Sequence, residues 1–142
     1  MERQIFVNLP VIDLDRAIGF YEAMGFTRNP QFSDETAACM VWSEAIYVML
    51  LTHAKWRTFT QRPIPDSGSS EVMNCLSLES RDEVDTIAEK ATPAGGTTDI
   101  QPGENHGFMI SRTVADPDGH IWELMWMDPA AAAPATEPAA SA

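Results

Sequence analysis

The order of elements constrains this chain more than any other feature. A strand, a helix and three strands follow one another, and then the same order occurs again. Ile5-Phe6-Val7-Asn8-Leu9-Pro10-Val11 is short and rich in strand formers, so it reads as a buried strand. Asp13 is placed to cap a helix in which Leu14, Ala17, Ile18, Tyr21 and Met24 share one face. Gly25 ends that helix where a left-handed residue is wanted. Strands are expected over 27–32, 36–42 and 45–52, with Ser43-Glu44 as a tight connection between the last two. The second pass opens on the apolar strand Val72-Met73-Asn74-Cys75-Leu76-Ser77-Leu78. Ser80 and Glu83 have capping-box spacing, Val84, Ile87, Ala88 and Ala91 supply the apolar helical face, and Thr92-Pro93 with Gly95-Gly96 stop it. Strands follow near 97–101, 108–114 and 121–127, the last two joined by the turn signal Asp116-Pro117-Asp118-Gly119.

One such βαβββ unit makes a small curved sheet with a helix on its outer face and buries too little to stand alone. The expected fold is therefore α+β: two paired βαβββ modules forming a curved mixed sheet around a central cavity, with the helices on the outer faces. The domain runs over 1–129, made of modules 1–52 and 71–129 and a connecting segment 53–70. From Ala130 to Ala142 the chain is alanine and proline apart from Thr136, Glu137 and Ser141, and is expected to be a disordered tail. Twenty-one Asp and Glu against nine Lys and Arg give a net charge of -12. Such a surface repels phosphate backbones and anionic lipid, which argues against nucleic-acid and membrane-surface partners. No apolar run approaches the roughly 20 residues of a membrane span. Neither a secretory pattern nor a cysteine framework is seen, since Cys39 and Cys75 stand alone in strands. A cytoplasmic setting is the expectation.

Two motifs carry a family resemblance. Asp13-Leu14-Asp15-Arg16-Ala17 with Phe20-Tyr21-Glu22 and Gly25-Phe26 resembles the opening of a glyoxalase / bleomycin resistance / extradiol dioxygenase (vicinal oxygen chelate) domain. Asp116-Pro117-Asp118-Gly119-His120 with Ile121-Trp122-Glu123-Leu124 resembles its closing strand. The resemblance, to a lactoylglutathione-lyase-like member, spans residues 3–128 and implies a homodimer that acts on a small molecule. It also implies four ligand positions for a divalent ion, one on each of the first, fourth, fifth and eighth strands. These fall on Asn8, Val48, Asn74 and Glu123, and a slip of one residue exchanges Val48 for Met49. Only Glu123 suits such an ion, because amides are weak ligands for zinc or nickel and valine is none. No cofactor is predicted, and a weakly bound divalent metal is left open.

Alternation along 121–127 puts Trp122, Leu124 and Trp126 on one face and Ile121, Glu123 and Met125 on the other. With the bulky face against the helix, Glu123 faces the cavity, where a carboxylate among apolar side chains suits a general base. Asn8 and Asn74 are read as hydrogen-bonding groups at equivalent places in the two modules, serving either a ligand or each other. Lys55 and Trp56, in a basic and aromatic stretch that also holds Arg57, Phe59 and Arg62, are read as contacts to an anionic or aromatic small molecule, or as a linker that caps the core. His106 is a candidate proton shuttle or a solvated loop residue, Arg112 an anion partner if it points inward, and His120 a structural part of its turn. Three functions stay open: lyase- or isomerase-type chemistry with Glu123 as base, metal-free sequestration as the resistance-protein branch implies, and a metal-dependent enzyme with a rearranged ligand set.

Overall fold

A computed structural model describes residues 2–131; the remainder of the expected tail, 132–142, lies outside the described residues. The duplicated order holds, with one extra two-residue strand in the second module. β1 (Ile5–Val11), α1 (Leu14–Ala23), β2 (Thr27–Asn29), β3 (Ala37–Val41) and β4 (Ile46–Thr52) form a four-stranded sheet in the order β1-β4-β3-β2. A connecting helix α2 (His53–Phe59) leads to β5 (Met73–Ser77), α3 (Arg81–Lys90), β6 (Thr97–Thr98), β7 (Glu104–Asn105), β8 (Met109–Ala115) and β9 (Ile121–Met127). These strands form a second sheet in the order β5-β9-β8-β6, with β7 also on β8. In each sheet the first strand of the module runs parallel to the last, and the other pairings are antiparallel. The fold is thus α+β with two mixed sheets and no closed barrel.

Local chemistry explains the helix limits. The Asp13 carboxylate accepts from Arg16 N at 3.1 Å, and Gly25, at φ +110°, lets Phe26 N return to Tyr21 O at 3.0 Å. For α3, Ser80 Oγ accepts from Glu83 N at 3.1 Å while Glu83 Oε1 reaches back to Glu79 N at 2.9 Å. Three details depart from the sequence pattern. Pro30–Phe32 is a single 3₁₀ turn rather than strand, because Pro30 has no N–H to give a ladder. The strand expected over 97–101 pairs with β8 only at Thr97 and Thr98, and Asp99 then turns to φ 57°. The stretch after β4 is helical, begun by Thr52 Oγ1, which accepts from Lys55 N at 3.1 Å.

One hydrophobic core runs through both modules. Val7, Leu9, Val48 and Leu50 from the first sheet join Phe20 and Tyr21 of α1, Val84 and Ala88 of α3, and Trp122 and Leu124 of β9. Tyr21 meets Phe20, Phe26 and Trp122 edge to face, with ring centroids 5.2, 5.3 and 6.0 Å apart. Gly96 is required where the modules touch, since a Cβ there would collide with the Ala115 carbonyl oxygen and the Phe20 ring.

Candidate functional site

The 116–120 turn is the seam between modules. Asp116 is buried, and its Oδ1 accepts from Asp118 N and His120 N, each at 2.9 Å. Its Oδ2 accepts from the Tyr21 hydroxyl at 2.7 Å, and that hydroxyl accepts from Trp122 Nε1 at 2.8 Å. Asp118 Oδ1 accepts from Ile12 N at 2.8 Å, and His120 Nε2 donates to Pro10 O at 2.8 Å. The turn therefore clamps the end of β1 to the start of β9. Burial pushes the Tyr21 hydroxyl well above its ordinary range, with Asp116 adding to the shift. Burial also raises the Asp116 carboxyl, opposed chiefly by His120 and the Tyr21 hydrogen bond.

Beside this seam a cavity of about 500 Å³ opens between the exposed edges of β1 and β5, the α2 segment and the turn. Asn8, Asn74 and Trp56 all line it, as do His53, Arg57 and Asp118. Three of the residues singled out from the sequence thus meet at one place. The Trp56 ring N–H is buried and has no hydrogen-bond partner among the described residues, and neither does Asp118 Oδ2. A buried donor or acceptor left unpaired costs roughly 1–3 kcal/mol, which marks both atoms out within the lining.

Glu123 lies elsewhere. As alternation predicts, Trp122 and Leu124 are buried in the core and Glu123 points to the opposite, open face. Its neighbours across the ladder are Cys75 on β5 and Thr113 on β8. Asn74 pairs with Trp122 and so occupies the other face of its strand. The equivalence drawn between Asn8 and Asn74 is therefore one residue out of register: it is Cys75 that stands across from Glu123, and Met49 that stands across from Asn8. The Cys75 thiol is pushed up by partial burial first and by the Glu123 carboxylate second. An amide, a thioether, a protonated thiol and one carboxylate do not fit a divalent ion, and among the described residues no three His, Cys, Asp or Glu are grouped to hold one.

The remaining candidates are tied down. Arg112 shares the core-side face with Leu124 and is held by Asp99 at 2.6 and 3.0 Å, Glu89 at 2.7 Å and Asp85 at 3.1 Å. These bonds raise its already high pKa further and leave no free fork for a ligand anion, which corrects its reading as an anion partner. Lys55 sits 5.6 Å over the exposed Phe59 ring. His106 is exposed on the β7–β8 hairpin and donates to Glu104 at 3.2 Å. Sequence reasoning missed Asp118 as a lining residue, although its place in the turn motif was in view.

A duplicated βαβββ chain with two mixed sheets joined at such a seam defines a class. Residues 3–43 match the family model for the N-terminal part of bleomycin resistance protein-like proteins. No curated relative matches the chain. Among solved structures, a hypothetical protein from S. aureus is 26% identical with a TM-score of 0.72, over 89% of this chain and 95% of that one. A glyoxalase-related enzyme from Fulvimarina pelagi is 20% identical with a TM-score of 0.73, over 89% and 88%. A bleomycin resistance determinant encoded on transposon Tn5 is 21% identical with a TM-score of 0.61, over 89% and 99%. The family-model match covers the amino-terminal third of the chain, and the likeness to these solved structures is one of fold. Among the described residues no helix is long and apolar enough to cross a membrane.

Proposed function

We propose that this chain binds a small organic molecule in the manner of the bleomycin resistance branch, without a tightly held metal, and that the seam cavity receives it. The observation that carries this reading is the buried ring N–H of Trp56, unpartnered among the described residues, on a residue that lines a cavity together with Asn8 and Asn74. A cavity of about 500 Å³ lies within the usual range for small-molecule sites. The donor chemistry around Glu123 supports the metal-free part of the reading. Two-dimensional NMR of chelator-treated protein during titration with simple arylamides tests it. Expected are shifts of the Trp56 indole N–H, assigned through Trp56→Phe, and of the Asn8 and Asn74 side-chain amides. Saturable shifts confined to other parts of the chain, or dependence on added metal, would refute it.

A catalytic reading keeps Glu123 as base, and its support is the half-buried carboxylate on a methionine-lined open face beside Cys75 and Thr113. Turnover of a ligand that is lost in Glu123→Gln while binding persists would favour catalysis over sequestration. The same open faces carry exposed Phe6, Met73 and Met127, which a second copy of the chain would cover. Sedimentation equilibrium at micromolar concentration tests that homodimer, and a monomer at all concentrations would exclude it.

A further inference from the structure

The two buried polar atoms that lack a partner among the described residues differ in sign. Trp56 Nε1 is a donor and Asp118 Oδ2 an acceptor, and the two residues line the same cavity. The other carboxylate oxygen of Asp118, Oδ1, accepts from Ile12 N at 2.8 Å, which ties the group to the seam. The charged lining is acidic on balance, Asp66, Glu71 and Asp118 against Arg57, with the imidazoles of His53 and His120 beside them. The net charge of -12 draws cations toward every such opening. Of the cationic side chains from which an anionic ligand was expected, Arg112 is held by three carboxylates and Lys55 lies over Phe59, which leaves Arg57 as the one that lines the cavity.

We infer that the seam cavity selects a planar amide or ketone bearing an ammonium group: the ammonium bonds Asp118 Oδ2, and the carbonyl oxygen accepts from Trp56 Nε1. This inference rests on the cavity being the ligand site and goes further by naming the ligand class. It also replaces the anionic ligand expected from the basic and aromatic stretch. Pairing a half-buried carboxylate, held by Ile12 N, with an ammonium is a charge-assisted bond, whereas a carboxylate ligand would face Asp118 with like charge. An aromatic body fits because the Trp56 ring forms part of the wall.

Isothermal titration of the full chain with procainamide, an arylamide with an ammonium tail, and with its uncharged N-butyl analogue tests the proposal. The charged probe should bind about tenfold more tightly than the neutral one. Asp118→Asn keeps a carbonyl for Ile12 N, and should lower affinity for the charged probe about tenfold while leaving the neutral one unchanged. Trp56→Phe keeps a ring and loses the N–H, and should weaken both probes by a similar factor. Binding of both probes with equal affinity, or an Asp118→Asn effect shared by both, would overturn the ligand class and leave the cavity reading intact. Binding of neither probe, or binding indifferent to both variants, would overturn the class and count against the cavity itself.

Discussion

Replacing Tyr21 with Phe tests the seam directly. The substitution keeps the ring that meets Phe20, Phe26 and Trp122 edge to face and removes only the hydroxyl. That hydroxyl donates to Asp116 Oδ2 at 2.7 Å and accepts from Trp122 Nε1 at 2.8 Å. Tyr21, Asp116 and Trp122 are exposed by only 1%, 3% and 3%, so water cannot replace it without rearrangement. Two buried groups are therefore orphaned, each at roughly 1–3 kcal/mol, and the expected loss is about 2–4 kcal/mol. A domain of this kind is stable by roughly 5–15 kcal/mol, so the change is a large share of the total. Equilibrium urea unfolding followed by circular dichroism should show a lower midpoint with an unchanged slope. The Tyr21→Phe and Asp116→Asn losses should be less than additive in the double variant, because both remove the same hydrogen bond. A Tyr21→Phe loss below about 0.5 kcal/mol at unchanged slope would refute the claim that this hydroxyl joins the modules.

Asp116 has a folded pKa raised above its unfolded value, so its contribution to stability is full below the unfolded carboxylate range and is lost as pH rises through the raised value. Asp116→Asn should flatten the fall in urea midpoint over that window; an unchanged profile would remove Asp116 as its source. Asp99 behaves in the opposite sense, since the hydrogen bonds from Arg112 lower its pKa: its contribution is present above the unfolded value and lost as pH falls through the depressed one. Arg112→Ala should erase that acid-side loss, and a midpoint that still declines equally in acid would contradict it. Gly96→Ala should cost about 2–4 kcal/mol in urea unfolding, because the new methyl meets the Ala115 backbone oxygen as well as the Phe20 ring. A neutral Gly96→Ala would mean that the two modules pack less closely than described.

What was legible in the sequence is what local chemistry decides. Asp13, Gly25, Ser80 and Glu83 mark helix ends through bonds that span only a few residues. Alternation alone was enough to assign Trp122 and Leu124 to the core and Glu123 to the open face, because each strand residue must point to one side or the other. The placement of Asn74 was not legible, since it depends on β5 meeting β9 with Cys75 opposite Glu123, and a one-residue shift moves a side chain to the other face. Likewise Arg112 looks free in sequence, because Asp85, Glu89 and Asp99 reach it only once α3 has packed on β8. Helix α2 was missed although Thr52 is a good capping residue, because seven residues show little periodicity. Asp118 was taken into the turn, and its second oxygen became a candidate ligand group only when the β1 edge was seen to engage the first.

The place of β9 in the chain has a consequence for synthesis. It is the last strand among the described residues, yet it lies between β5 and β8 inside its sheet and supplies Trp122 to the core that α1 completes. The clamp bonds join residues 95 to 110 positions apart. Such contacts form only after the intervening chain exists, and long closures of this kind slow folding. A nascent chain that has emerged as far as β8 would leave the aromatic face of α1 uncovered and the β5 edge unpaired. The first module should therefore acquire its final stability only when β9 leaves the ribosome, and the two halves should melt as one unit.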